Sequence, residues 1–268
     1  MTYETLDVKR EGQVAWLTLN RPHALNALNS TMANELRHFF EGLRLDADTR
    51  VVVMRGAGRA FCSGLDLREQ GESGPAGFFN ASKGVAAQRH VSEIPLLMRR
   101  APQPIIAAIH GHACGGGFSI SLAADVRIAG ESARMNAAYI RIGLTGTDMG
   151  SSYFLPRLVG MSVASELLLT GRFIDAKRAL AVGLVSEVVP DSELENAARK
   201  LADDMLFTSP LGLRLTKEGL NVNIDAAGLE AAMAVEDRNQ LLCTSSDDFK
   251  EGIRAFQEKR RPRYDGNK

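Results

Sequence analysis

Five consecutive apolar residues, Ile105 to Ile109, run into Gly111-His112-Ala113-Cys114-Gly115-Gly116-Gly117, and a helix-forming stretch, Phe118 to Ala124, follows at once. A short, unbroken apolar run fits a strand buried on both faces better than a strand with one wet side. Pro102 and Pro104 flank its start. Strands of that kind belong to parallel sheets covered by helices, which points to the α/β class. Val126 to Ala129 reads as the next strand, so the unit is strand, glycine turn, short helix, strand.

The rest of the chain fits the same class. Val14 to Leu19 is rich in β-formers and stops at Asn20-Arg21-Pro22. Met32, Leu36, Phe39 and Leu43 form a helical stripe behind Asn29 or Ser30 as N-cap. Val51 to Met54 is a second buried strand, broken at Arg55-Gly56-Ala57-Gly58. Gly71 to Gly84 reads as a mobile surface loop, followed by helix to Arg100. The last third is helical. A helix over Asp175 to Val182 ends at Gly183, and Ser192-Glu193-Leu194-Glu195 has capping-box spacing. Phe249, Ile253 and Phe256 stripe a terminal helix rich in Lys and Arg. A composition shift near Pro190 divides a core, residues 1–190, from a helical appendage, residues 191–268.

Composition limits the partners. Lys plus Arg and Asp plus Glu each total 32 of 268 residues, so no broad basic field exists to hold nucleic acid. Cys62, Cys114 and Cys243 are widely spaced, with no CxxC and no Cys/His cluster, so neither a disulfide framework nor a bound metal is indicated. The amino terminus, MTYETLDVKREGQ, shows no targeting pattern and no apolar run reaches membrane-spanning length. The expected compartment is the reducing cytoplasm.

Glycines between a strand and a helix let backbone approach a bound group closely. The first N–H groups of the helix lack internal partners and carry partial positive charge. The Gly115-Gly116-Gly117 turn therefore suits an oxygen that gains negative charge, although tight strand–helix packing explains the triplet equally well. A second turn, Phe61-Cys62-Ser63-Gly64-Leu65-Asp66-Leu67, can aim the Leu65 N–H into the same pocket.

RAFCSGLDLRE (residues 59–69) resembles the AFCAGxDL segment of the enoyl-CoA hydratase/isomerase, or crotonase, superfamily, and residues 105–129 resemble its second signature segment. The likeness continues through NRPHALNAL (20–28), LPRLVG (155–160), GLVSEVV (183–189) and EGIRAFQEKRRP (251–262), in the family's order. It implies a crotonase-like spiral of ββα turns with a C-terminal helical region that packs subunits into homotrimers or dimers of trimers. It also implies an acyl-CoA substrate, coenzyme A entering as part of the thioester and no separate cofactor. The N–H groups of Leu65 and Gly116 would hold the thioester carbonyl as an enolate develops.

The proton-handling side chains depart from the hydratase pattern. Two glutamates are usual there, and their positions are Ser119 and Tyr139 in this chain. The carboxylate left nearby is Asp148, placed like the active-site aspartate of dienoyl-CoA isomerases, naphthoate synthases and 4-chlorobenzoyl-CoA dehalogenases. It can act as a base if burial lifts its pKa, or as a nucleophile. Asp66 and Asp125 read as structural, His110 and His112 as packing or hydrogen-bonding residues, and Cys62 and Cys114 as small buried residues. For coenzyme A the resemblance points to Ala24, Leu25, Ser63, Gly64 and Asp66, with Arg21 and Arg68 near phosphates, and Phe256 and Lys259 reaching in from a neighbouring subunit. The expected reaction is hydration or double-bond isomerisation of an enoyl- or dienoyl-CoA with Asp148 as acid/base. The alternatives are a hydrolase or dehalogenase using Asp148 as nucleophile, and a catalytically silent CoA- or RNA-binding relative.

Overall fold

A computed structural model describes residues 2–68 and 81–264. A six-stranded sheet organises it: β1 (Leu6–Glu11), β2 (Val14–Leu19), β3 (Val51–Gly56), β4 (Ile105–Ile109), β6 (Val126–Gly130) and β9 (Glu187–Val189), side by side in that order. Only β1 runs antiparallel to its neighbour; the other pairs are parallel, with Val14 opposite Val51, Val52 opposite Ile105 and Ile106 opposite Val126. After β4 the chain turns within two residues into β5 (His112–Cys114), and after β6 it turns into β7 (Arg134–Asn136). These two pair in a smaller sheet completed by β8 (Ile174–Asp175), and Cys62 joins it through a parallel bridge to Ala113. Each repeat thus gives one strand to the large sheet and one to the small sheet, then a helix: the ββα spiral.

The continuous apolar runs have their cause in the two layers that cover the sheet. Leu17, Val52, Met54, Ile105, Ala107 and Ile109 face one core, shared with α1 (Ser30–Gly42), α2 (Ala81–Arg100), α3 (Gly116–Ala123) and α4 (Ser151–Thr170). The alternate residues Val14, Trp16, Val51, Val53, Ile106 and Ala108 face a second core closed by Leu194, Ala198 and Ala202 of α6 (Leu194–Leu206). A strand with helices on both faces leaves few positions for polar residues. α6 lies after Pro190 and still forms this second layer. Before it comes the short α5 (Ala176–Ala181), capped by Asp175; after it come α7 (Pro210–Asn223), α8 (Leu229–Thr244) and α9 (Asp247–Gln257).

Asn29 proves to be the N-cap of α1, its side chain accepting from Met32 N at 2.9 Å. Two local expectations need correction. The loop expected over Gly71–Gly84 lies largely outside the described residues, and from residue 81 onward the chain is helical. The capping box at Ser192 does not form. A 3-10 turn, Asp191–Glu193, precedes α6, and the Glu195 carboxylate accepts from the Arg55 guanidinium instead of reaching back to the helix start.

The helices after α6 are tied to the sheet by a buried ion pair. Lys217 Nζ on α7 lies 2.8 Å from Asp125 Oδ2 and donates to the carbonyls of Met98 and Gln103 at 3.0 and 2.8 Å. Asp125 also accepts from Ile105 N at 2.8 Å, which makes it structural, as the sequence indicates. Burial pushes the Lys217 ammonium below its ordinary pKa, against the pull of Asp125. Removing one partner of such a pair strands the other. Lys217→Met is therefore expected to lose about 3 kcal/mol of stability, read from the urea midpoint at constant m-value.

Candidate active site

The two glycine turns meet. A Cβ on Gly64 (φ +98°) would lie 2.8 Å from the Cys114 carbonyl oxygen and 3.5 Å from Gly116 N. One on Gly117 would lie 2.4 Å from the Cys62 carbonyl oxygen and 2.6 Å from its Cβ. Those two glycines are needed because the segments touch. Gly116 is different: a Cβ there would meet only the ends of the Leu28 and Met149 side chains, at 2.9 and 3.4 Å. The triplet therefore serves close packing at Gly117 and leaves open backbone at Gly116.

An inventory of N–H groups isolates two of them. Leu28 N donates to Gly64 O at 2.7 Å and Asp66 N donates to Leu28 O at 2.9 Å, a parallel bridge that turns the N–H of Leu65 the opposite way. Ser63 N is used by Leu25 O, Cys114 N by Cys62 O and Gly115 N by Asn136 O. Gly116 opens α3, so its N–H belongs to the first turn and has no helical acceptor. Among the described residues neither the Leu65 nor the Gly116 N–H has an acceptor. These are the two positions the sequence motifs nominate.

The loop before α1 braces this arrangement. Leu25 and Asn26 both take left-handed backbone, φ +51° and +55°. Asn26 is fully buried; its side chain accepts from Arg21 N and donates to the carbonyls of Ala57 and Ala60. The sequence reading missed this residue, although a buried Asn beside a strand-ending Arg-Pro is a legible turn signal. Arg21, expected at a phosphate, has partners of its own: its guanidinium lies 2.9 Å from Asp66 Oδ2 and donates to Ala27 O at 2.6 Å. Asp66 also accepts from Arg68 N, so it fixes the turn. Ala24, Leu25 and Ser63 are partly exposed beside this turn, and the Arg68 side chain is in solvent. Phe256 is exposed on α9 and helps line a depression of ≈ 440 Å³ formed wholly by residues from Ser209 onward, and Lys259 follows that helix. Within one chain they are not brought to the glycine turns.

On the other side of the turns a hydrogen-bonded group surrounds Asp148. Ser119 Oγ donates to the Asp148 carbonyl at 3.0 Å and sits 3.5 Å from the Tyr139 hydroxyl. Asp148 N donates to Ser151 Oγ at 3.0 Å, and the carboxylate accepts from Gln88 Nε2 at 2.6 Å. Met149 and Gly150 follow with φ of +48° and +85°, a strained turn that lays the Met149 sulfur against Gly116. Burial pushes the Asp148 carboxyl above its ordinary pKa, while the hydrogen bonds from Gln88 and Met149 N pull it down. Burial, and then the Asp148 charge, raise the Tyr139 phenol, against hydrogen bonds with Ser119 and Ser151. The thiols of Cys62 and Cys114 are pushed up to about 12 and about 11 by burial, too high for nucleophiles. His110 Nε2 donates to the Gly58 carbonyl at 2.8 Å and His112 packs edge-on against Phe173, both packing roles. Among the described residues no group of three or more His, Cys, Asp and Glu could hold a metal ion, and no helix is long and apolar enough to cross a membrane.

Residues 9–267 match the family described as Enoyl-CoA hydratase/isomerase. The chain belongs to that family. Among its relatives, the Mycobacterium bovis protein named "Probable enoyl-CoA hydratase echA12" is 39% identical over 93% of this chain and 88% of its own. The short-chain-enoyl-CoA hydratase of Clostridium acetobutylicum is 34% identical over 97% of both. The crystal structure of the enoyl-CoA hydratase from Bacillus anthracis superposes with a TM-score of 0.92 at 34% identity, covering 98% of this chain and 100% of that one. The crotonase-like fold and an enzyme of the hydratase/isomerase family are thereby established. This member of the family has Ser119 and Tyr139 hydrogen-bonded around an aspartate.

Proposed function

We propose that the chain moves the double bond of an enoyl- or dienoyl-CoA through a thioester enolate, with Asp148 as the proton carrier. The observation that carries this reading is the half-buried Asp148, whose backbone carbonyl accepts from Ser119 beside the Tyr139 hydroxyl and whose carboxylate, accepting from Gln88, is pushed up in pKa by burial. In the proposed step ionised Asp148 takes a proton from the α-carbon of a 3-enoyl thioester. The electron pair moves onto the carbonyl oxygen, where the N–H groups of Leu65 and Gly116 stabilise it. The same proton returns at the γ-carbon, giving the conjugated 2-enoyl thioester. One carboxylate suffices for a shift in which the proton taken is the proton given back. Ser119 serves as a brace for the Asp148 loop, and Tyr139 stays protonated and orients the acyl group.

A second reading, hydration of a 2-enoyl-CoA, is favoured by the names of the relatives. The same carboxylate would then accept a proton from water and pass it to the α-carbon. Incubating the protein with 3-enoyl-, 3,5-dienoyl- and 2-enoyl-CoA, with absorbance and product mass followed, separates the two. The expected result is rapid gain of conjugation from the 3-enoyl ester at unchanged mass. Faster uptake of water by the 2-enoyl ester would replace this reading with hydration.

Coenzyme A is proposed to lie along Ala24, Leu25, Ser63, Gly64 and Asp66, with Arg68 as the accessible cation. Phe256 and Lys259 would complete the site across a subunit boundary. The apolar surface of α7 to α9 supports assembly as a homotrimer or dimer of trimers, since Leu220, Leu229 and Phe256 are 69%, 74% and 86% exposed in a single chain.

A further inference from the structure

We infer that Gln88 is a positioning residue for Asp148, its side-chain amide fixing which way the carboxylate points and holding it ready as a base. The inference rests on the reading of Asp148 as proton carrier. Gln88 lies on α2, sixty residues earlier in the chain, and its Nε2 reaches Asp148 Oδ1 at 2.6 Å. An amide NH₂ has two hydrogens, and the second goes to Ser92 Oγ at 3.3 Å, while Ser92 Oγ donates back to the Gln88 carbonyl at 2.8 Å. The amide is thus held from its own helix, with its nitrogen end toward the carboxylate. The helix is held in turn. Arg37 of α1 bonds Glu93 through Nε at 3.1 Å and His90 through NH1 at 2.9 Å, and His90 Nε2 bonds Asn34 at 2.6 Å. Those contacts sit within one to two turns of Gln88, so docking of α2 on α1 sets where the amide is presented.

Oδ1 accepts from Gln88 and the carboxylate also accepts from Met149 N, so the α2 amide and the Asp148 loop together set how the carboxylate is turned. Tyr139 is the titratable group facing Asp148 from the 3-10 turn at Ala138–Ile142; α3 presents Ser119 and α4 presents Ser151. A donor on the ionised form favours ionisation, so Gln88 opposes the upward push of burial.

Two substitutions test the role. Gln88→Glu keeps the shape and replaces the donor by a second carboxyl, so the pair must share a proton. The acid limb of kcat/KM for the thioester is expected to move up by about one pH unit or more. Gln88→Met removes the donor alone, and a smaller upward move is expected, with kcat down several-fold and KM within twofold. Superimposable pH profiles for both variants and the unaltered protein would overturn the inference. Asp148→Asn is measured alongside. If that variant keeps its turnover, the proton-carrier reading fails and the role of Gln88 fails with it. If it is inactive while the Gln88 profiles stay put, only the role of Gln88 fails.

Discussion

Asp148→Asn is expected to lower kcat/KM by about a thousandfold, the middle of the range for loss of a general acid/base, and to leave coenzyme A binding unchanged. The asparagine can still accept from Gln88 through its amide oxygen, so the loop before α4 should keep its conformation. What is lost is the ability to take a proton. Neither neighbour can replace it, because Ser119 spends its hydroxyl on a carbonyl and burial makes the Tyr139 phenol harder to ionise. The unaltered enzyme should also report its base through pH. Asp148 must be ionised to act and burial raises its pKa, so kcat/KM should fall on acidification with a midpoint above the ordinary carboxylate value of about 3.9. Titration calorimetry with a saturated acyl-CoA checks binding, and initial rates check turnover. An asparagine variant that keeps a tenth or more of the activity would remove Asp148 from the mechanism.

The parts of this protein that are legible in its sequence are those written by neighbours in the chain. Ile105–Ile109 and Val51–Met54 announce strands buried on both faces because the covering helices forbid polar residues there. The glycine turns and Asp148 are likewise marked by local motifs. What stays hidden depends on pairs far apart in the chain. Arg21 looks like any exposed cation until Asp66 is folded against it. Glu195 looks like a capping-box residue until Arg55, 140 residues away, takes its carboxylate. Gln88 carries no motif at all, since its role comes from the docking of α2 on α1. Even at the glycine turns, sequence alone leaves packing and oxygen binding equally good explanations. The division appears only when Leu28, Leu25 and Asn136 are seen to use the neighbouring N–H groups.

That division makes Gly116→Pro the sharpest test of the carbonyl site. Proline removes the N–H and nothing else that α3 uses, because Gly116 is the first helical residue, where proline is tolerated. Its Cβ would meet the ends of the Leu28 and Met149 side chains, which can shift. Loss of one such donor raises the barrier by about 3–4 kcal/mol, so kcat is expected to fall by about two to three orders of magnitude. Gly117→Ala provides the contrast. Its Cβ would press into the Cys62 backbone at 2.4 Å, so its effect should be on thermal stability. An acyl-CoA thioether, which has no carbonyl oxygen, keeps the proline variant interpretable even if turnover vanishes. The unaltered protein should bind the thioester better than the thioether, and Gly116→Pro should lose most of that preference while binding the thioether as before. Equal preference in both proteins, or undiminished kcat in the variant, would place the oxygen elsewhere.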